Sequence, residues 1–299
     1  MKKLTMALLL GSLSFGAFAE GHYVPGVEGL KGPSAPPPGN YYVGYLVNVE
    51  VDSLKAPGTD TTLAAHNKGT VTALANRFVH ITNKKILGAD YGVEAIIPIV
   101  KKDLDFDTVS YDATNAGVGD IYLSPLVLGW HADRWDGLFT AGYWFDNASN
   151  SELSKPGNGY GSAMLTVGGT AYLTQDKSVS ASAMLRYEMH SGNTRNAAGV
   201  PYEPGDQATL EWGIGKKVSP VLELALVGYN QRQTTKDTGT GATTTNKFSK
   251  NAIGVEVSYL SKALGGFIEA AYYDEYDVHA NTAPGADGST FRLNIVKPF

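Results

Sequence analysis

From about residue 40 to the C-terminus, apolar and polar positions alternate with a period of two. In "SVSASAMLRYEMH" (178–190), Val179, Ala181, Ala183, Leu185, Tyr187 and Met189 share one face, and Ser178, Ser180, Ser182, Met184, Arg186, Glu188 and His190 share the other. The stretch "ILGADYGVEAIIPIV" (86–100) behaves alike, with Asp90, Glu94 and Ile96 opposite Tyr91, Val93 and Ile97. A helix would mix these sets on every face, so both stretches are strands. The same reading along the chain predicts twelve strands, near 40–51, 69–82, 86–100, 118–131, 136–147, 159–173, 178–190, 206–217, 221–232, 247–260, 264–277 and 288–299.

The connections alternate in length. Short ones are "NKK", "ADRW", "TQDK", "VSP" and "SKA"; long ones are 52–68, 101–117, 148–158, 191–205, 233–246 and 278–287. In an up-and-down barrel every second turn lies at the same rim, so this alternation trims one rim and elaborates the other. The strands are also longer than the five or six residues of a soluble sandwich, and long enough to cross a bilayer at a tilt. The expected fold is all-β: a 12-stranded antiparallel up-and-down transmembrane β-barrel. Tyr41, Trp130, Trp135, Tyr160, Tyr172, Trp212 and Tyr229 sit near strand ends, where interfacial aromatic belts are expected. The chain ends "STFRLNIVKPF", with Phe291, Leu293 and Ile295 alternating and Phe299 last. A final aromatic on an amphipathic strand resembles the signal read by the outer-membrane assembly machinery. Pro298 has no N–H and belongs at a ladder gap or strand end.

The N-terminus reads differently. "MKKLTMALLLGSLSFGAFA" has a basic head, a short apolar run and an A-x-A end, the pattern of a secretory signal peptide cleaved after Ala19. Three segments follow: a signal peptide at 1–19, a Pro/Gly-rich arm at 20–39 and the barrel at 40–299. The expected location is the bacterial (Gram-negative) outer membrane, multi-pass, with both termini periplasmic. There is no cysteine, so no disulfide or thiolate metal site contributes. The formal charge of −5 becomes more negative once Lys2 and Lys3 leave, which argues against nucleic acid as a partner.

Enzymatic chemistry finds little support. His22, His66, His80, His131, His190 and His279 are scattered, and neither a G-x-S-x-G elbow nor an H-E-x-x-H signature is present. No catalytic, cofactor-binding or metal-ligating residues are expected, and no cofactor. The inward face is more informative. The alternation assigns Tyr42, Leu46, Phe78, Asp90, Glu94, Asp120, Arg186, Glu188, Glu211, Glu223, Glu256 and Glu269 to the lumen lining. Charges are costly against lipid and belong inside. Such a mixed interior serves either as a pathway of charged rungs and apolar patches or as an ion-pair network that holds the barrel's shape. Twelve strands leave a narrow path or room for an inserted segment. The arm "GHYVPGVEGLKGPSAPPPGN" is long enough to enter, reaching roughly 60 Å extended. Its prolines lower the entropy lost on ordering. With His22, Tyr23, Val24, Pro25, Val27 and Leu30 to make contacts, it is expected to constrict the lumen.

His22-Tyr23 and Pro25-Gly26 in the arm, with the Gly119-Asp120…Pro125 run of strand four, resemble the family labelled "putative MetA-pathway of phenol degradation". The resemblance spans essentially the whole mature chain. It implies a twelve-stranded barrel with a narrow, relatively hydrophobic lumen, the N-terminal arm folded inside, and passive outer-membrane uptake of small hydrophobic molecules such as aromatics. The leading expectation is a porin-like monomeric channel that is not an enzyme. Its partners are outer-membrane lipid, small hydrophobic solutes and, through Phe299, the assembly machinery. Two other readings stay open: an outer-membrane hydrolase of esterase or phospholipase type, and a structural or adhesive barrel acting through its outer loops.

Overall fold

The computed structural model describes residues 21–192, 194–195 and 200–299, so the signal peptide expected at 1–19 lies outside the described residues. The arm carries a short 3-10 turn at Gly29–Lys31. The first strands are β1 (Gly39–Lys55), β2 (Asn67–Ile86), β3 (Ala89–Phe106), β4 (Tyr111–Val118) and β5 (Tyr122–His131). β6 (Trp135–Trp144), β7 (Gly161–Tyr172), β8 (Val179–Ser191), β9 (Thr194–Arg195) and β10 (Pro201–Tyr202) follow. The last are β11 (Gln207–Lys217), β12 (Leu222–Gln233), β13 (Ser249–Ser261), β14 (Gly266–His279) and β15 (Gly285–Pro298).

Twelve strands pair antiparallel in a closed ring, β1-β2-β3-β5-β6-β7-β8-β11-β12-β13-β14-β15, with β15 returning onto β1. Closure leaves no unpaired edge, which a bilayer demands of any sheet. β4 stands outside the ring. It pairs with Ile99–Phe106 of β3, while β5 pairs with Asp90–Ile96 of the same strand. β9 and β10 form a small hairpin within one long loop.

Burial is inverted relative to a water-soluble protein. Arg292, Glu211, Glu256, Glu188, Glu269 and Arg186 are buried, whereas Leu46, Ile97, Val167, Leu185, Ile214, Val255 and Ile295 are exposed on the outer wall. A continuous apolar exterior of this size would aggregate in water, and lipid is the solvent it suits. Among the described residues no helix is long and apolar enough to cross a membrane.

Several expectations need correction. Leu46 and Phe78 are 41% and 44% exposed, and the Tyr42 ring packs 5.5 Å from Phe78, so all three point to lipid and not to the lumen. Both faces of β1 are apolar (Tyr41, Val43, Tyr45 and Val47 against Tyr42, Gly44 and Leu46), and parity is lost where neither face is polar. Segment 101–117 is not a long loop. β3 continues to Phe106 and turns tightly into β4, with Leu104 and Phe106 buried while Lys101, Asp103 and Asp105 face water. The β2–β3 turn falls at Leu87-Gly88 rather than "NKK". Both have positive φ, 52° and 79°, as a two-residue hairpin turn of right-handed twist requires. Tyr160 and Tyr229 are buried inside rather than placed in an interfacial belt. Pro298, by contrast, is where expected, at a strand end: it is the last residue of β15, opposite Tyr41, and Phe299 N–H donates to Asn40 O at 3.0 Å.

Candidate functional site

Residues 21–38 run down the inside of the barrel, and inward carboxylates hold them. Glu188 of β8 accepts the backbone N–H of His22 at 2.9 Å and of Tyr23 at 3.1 Å. Glu211 of β11 accepts the Tyr23 hydroxyl and the N–H groups of Gly26 and Gly29, at 3.0 and 3.1 Å. Glu256 of β13 accepts Leu30 N–H at 3.2 Å and pairs with Arg292, and Glu223 of β12 binds Lys31 Nζ. Asp136 of β6 accepts the Ser34 hydroxyl at 3.1 Å. A Pro/Gly-rich segment forms no ladder of its own, so its buried N–H groups need such partners. Gly26 and Gly29 have φ of +85° and +59°. A Cβ at Gly29 would strike Glu256 and Arg292, so only glycine fits that close approach. Leu30 fills an apolar pocket of Val227, Tyr229, Ala252, Ala271 and Tyr273.

The opposite wall is apolar. Val47, Val49, Val71, Ala73, Ala75 and Val100 face Val24, Pro25 and Val27 of the arm across a cavity of about 170 Å³. A second cavity of about 490 Å³ opens toward the short-turn end, lined by Ala35, Val43, Val79, Leu138, Val296 and others. Glu28, Tyr45 and Arg77 border both cavities. They form a septum: Arg77 bonds Glu94 at 2.6 Å, Glu28 at 2.9 Å and the Tyr45 hydroxyl at 2.8 Å. Arg186 reaches Glu28 at 3.1 Å and stacks over the Tyr23 ring at 3.9 Å. The paired guanidinium groups next to Glu28 outweigh the opposing effect of its burial, so its carboxyl sits below the ordinary carboxylate range.

At the long-loop end, Asp120 lies in the break between β4 and β5. Its carboxylate accepts N–H groups of Asn147, Ala148 and Asn158 at 2.9–3.1 Å, which folds loop 145–160 inward. His22 is 3.4 Å from Asp120 and 3.6 Å from Glu188, 2.9 Å from the Ser162 hydroxyl, and stacked on Trp144 at 5.5 Å. Burial alone would lower the imidazole pKa, but its side-chain contacts with Asp120 and Glu188 reverse this and raise it. Ser, His and Asp therefore converge. Ser162, however, is fully buried and lines neither cavity, so an ester carbonyl has no approach to its oxygen. Among the described residues no group of three His, Cys, Asp or Glu could hold a metal ion.

Of the sequence-derived residues, His22, Tyr23, Val24, Pro25, Val27 and Leu30 all meet the lumen wall or a cavity. Glu94, Asp120, Arg186, Glu188, Glu211, Glu223, Glu256 and Glu269 face inward around them. Asp90 is also buried but stands apart near the short turn, paired with Lys85 at 2.7 Å. The inward residues not foreseen include Glu28, Arg77 and Lys102, besides Tyr45, Asp136, Lys250 and Arg292. Glu28 is the sole acid in residues 21–39, a signal that was readable. Arg77 was hidden by the same parity slip that placed Phe78 inside, and Lys102 by reading 101–117 as loop.

Three solved structures share the architecture. The COG4313 outer membrane channel from Pseudomonas putida F1 is similar over 93% of this chain and 100% of that one, with TM-score 0.77 and 14% identity. The translocator domain of autotransporter NalP from Neisseria meningitidis covers 90% and 91%, with TM-score 0.53 and 12% identity. The beta domain of the Bordetella autotransporter BrkA covers 88% and 100%, with TM-score 0.53 and 10% identity. At such identities these likenesses speak for the fold. A search of curated proteins gave no match. A family model matches residues 51–293, a range that contains the Gly119-Asp120…Pro125 run and leaves the arm outside it. On that match, the chain belongs to the family described as "Putative MetA-pathway of phenol degradation".

Proposed function

We propose that this outer-membrane barrel is a passive channel for small, mostly apolar solutes such as aromatic compounds, and not an enzyme. The observation that carries this reading is the divided lumen: an arm pinned to one wall by carboxylates, with two apolar-walled cavities left along the other. A water-filled porin offers an apolar solute no favourable contact. Weak apolar sites in series let it bind and leave, which conduction needs. The arm (20–39, following a signal peptide at 1–19) is the constriction, His22 to Leu30 its narrowing surface, and Glu28–Arg77–Tyr45 the septum a solute must displace. The long-loop end faces outward and the short-turn end the periplasm, where both termini belong. The channel acts as a monomer, and Phe299 serves as its assembly signal. The similar Pseudomonas putida protein is an outer membrane channel, which supports this reading, as does the phenol-degradation description of the family. The Ser162–His22–Asp120 cluster acts as a latch on the arm rather than as a hydrolase.

The test is entry of labelled benzyl alcohol into vesicles whose outer leaflet is lipopolysaccharide. Expected is several-fold faster entry with the protein than without it. Entry no faster than in protein-free vesicles sinks the proposal, and ester hydrolysis abolished by Ser162→Ala would replace it with the hydrolase.

A further inference from the structure

Lys102 is 8% exposed and projects from β3 into the 170 Å³ cavity near its long-loop end. Every other cation lining that cavity has a carboxylate: Arg77 has Glu94 and Glu28, Arg186 has Glu28, and Lys250 has Glu275 at 3.0 Å. Among the described residues Lys102 has no ion pair and no hydrogen bond. Asp120 acts on it by charge from beyond ion-pair distance, and that carboxylate is already occupied by three backbone N–H groups and His22. A second ammonium lies close by. Asn115 sits directly across the β3–β4 ladder from Lys102, and Lys155 Nζ donates to Asn115 Oδ1 at 2.7 Å without a carboxylate of its own. A buried cation with no counter-charge is costly, and an anion supplied from outside removes that cost.

The rest of the cavity sets the shape of that anion. Toward β1–β3 its wall is valine, alanine and proline, and its volume is close to the roughly 150 Å³ of an apolar cavity that accepts benzene. The carboxylates that also line it (Glu28, Glu94, Asp120 and Glu275) are each already paired with a cation or with backbone N–H groups. Resting on the channel reading above, we infer that the preferred cargo is a small aromatic acid, its ring in the Val47–Val71–Ala73–Val100 cavity and its carboxylate on Lys102. The route onward carries charge of both signs. Past Arg77, the lower cavity holds Glu28, Glu269 and the Lys31–Glu223 pair, and also Lys177 and Lys217, which have no ion pair among the described residues. An anionic head thus finds a cation without a carboxylate partner in each cavity, while the ring slides along the apolar wall.

Interruption of single-channel current by added solute tests this on the full chain, with benzoate, benzyl alcohol and benzylammonium as probes of one ring size. Benzoate is expected to half-block at a concentration at least tenfold below benzyl alcohol, with benzylammonium weakest. Lys102→Met brings the benzoate and benzyl alcohol half-blocking concentrations together. Lys102→Arg keeps the native ranking. Equal half-blocking concentrations for benzoate and benzyl alcohol in the native chain overturn the inference alone, as does a Lys102→Met change that shifts both equally. Failure of all three probes to interrupt the current overturns the aromatic channel itself, and this inference with it.

Discussion

The two walls of the lumen differ in kind. The wall from β6 through β8 and β11 to β13 presents Asp136, Glu188, Glu211, Glu223 and Glu256, and each is bonded to the arm. The wall from β1 to β3 presents mainly valine and alanine, interrupted by Tyr45, Arg77, Glu94 and Lys102, and there the space is left open. One wall grips and the other guides. Inward charge in a barrel is usually taken as the lining of an aqueous path, whereas here most of it is consumed in holding a plug, and the path follows the side that carries least of it.

Removing a grip should have the largest effect. Glu211→Leu leaves the Tyr23 hydroxyl and the Gly26 and Gly29 N–H groups without their acceptor, at about 1–3 kcal/mol each. A total near 3 kcal/mol shifts the seated arm toward release by about a hundredfold. Single-channel conductance should rise toward that of a chain lacking residues 20–38, while thermal unfolding of the barrel changes little. Unchanged conductance would show that the grip is not on this wall. Gly29→Ala comes next. Strain at φ +59° costs roughly 1–2 kcal/mol, and the new methyl group must push Glu256 or Arg292 aside. The expected readout is a partial conductance increase, with frequent returns to the native level.

A pH effect should be smaller. Because the seated His22 has a raised pKa, its contribution is complete below its free value, about 6.5, and is lost as pH rises through the seated value. Open-state occupancy of the native channel should therefore climb as pH rises above about 6.5. In His22→Gln this slope should flatten, and a slope unchanged by that substitution would place the titrating group elsewhere.

How much of this was legible depended on contrast between faces. Where one face is polar, as in β8 with Arg186 and Glu188, a period of two sufficed, and the inward carboxylates could be named from sequence. Where both faces are apolar, as in β1, nothing in the pattern marks which one meets lipid, and Tyr42, Leu46 and Phe78 were assigned inward. The apolar wall that forms the path was therefore the part hardest to read, together with Arg77 beside Phe78. Lys102 was missed for another reason: β3 rises beyond the apolar belt, and its charged upper residues resemble a loop. The partners of the inward carboxylates were also invisible, because an arm residue such as His22 meets Glu188 only through the closed barrel.

The claim that solute passes between the arm and the β1–β3 wall is tested most directly by filling that space. Ala75 lines the 170 Å³ cavity from β2. Benzyl alcohol entry through Ala75→Trp should fall at least tenfold in the full chain, and recover when residues 20–38 are also removed and the lumen stands open. Entry at the native rate through the full-length Ala75→Trp channel would contradict the account.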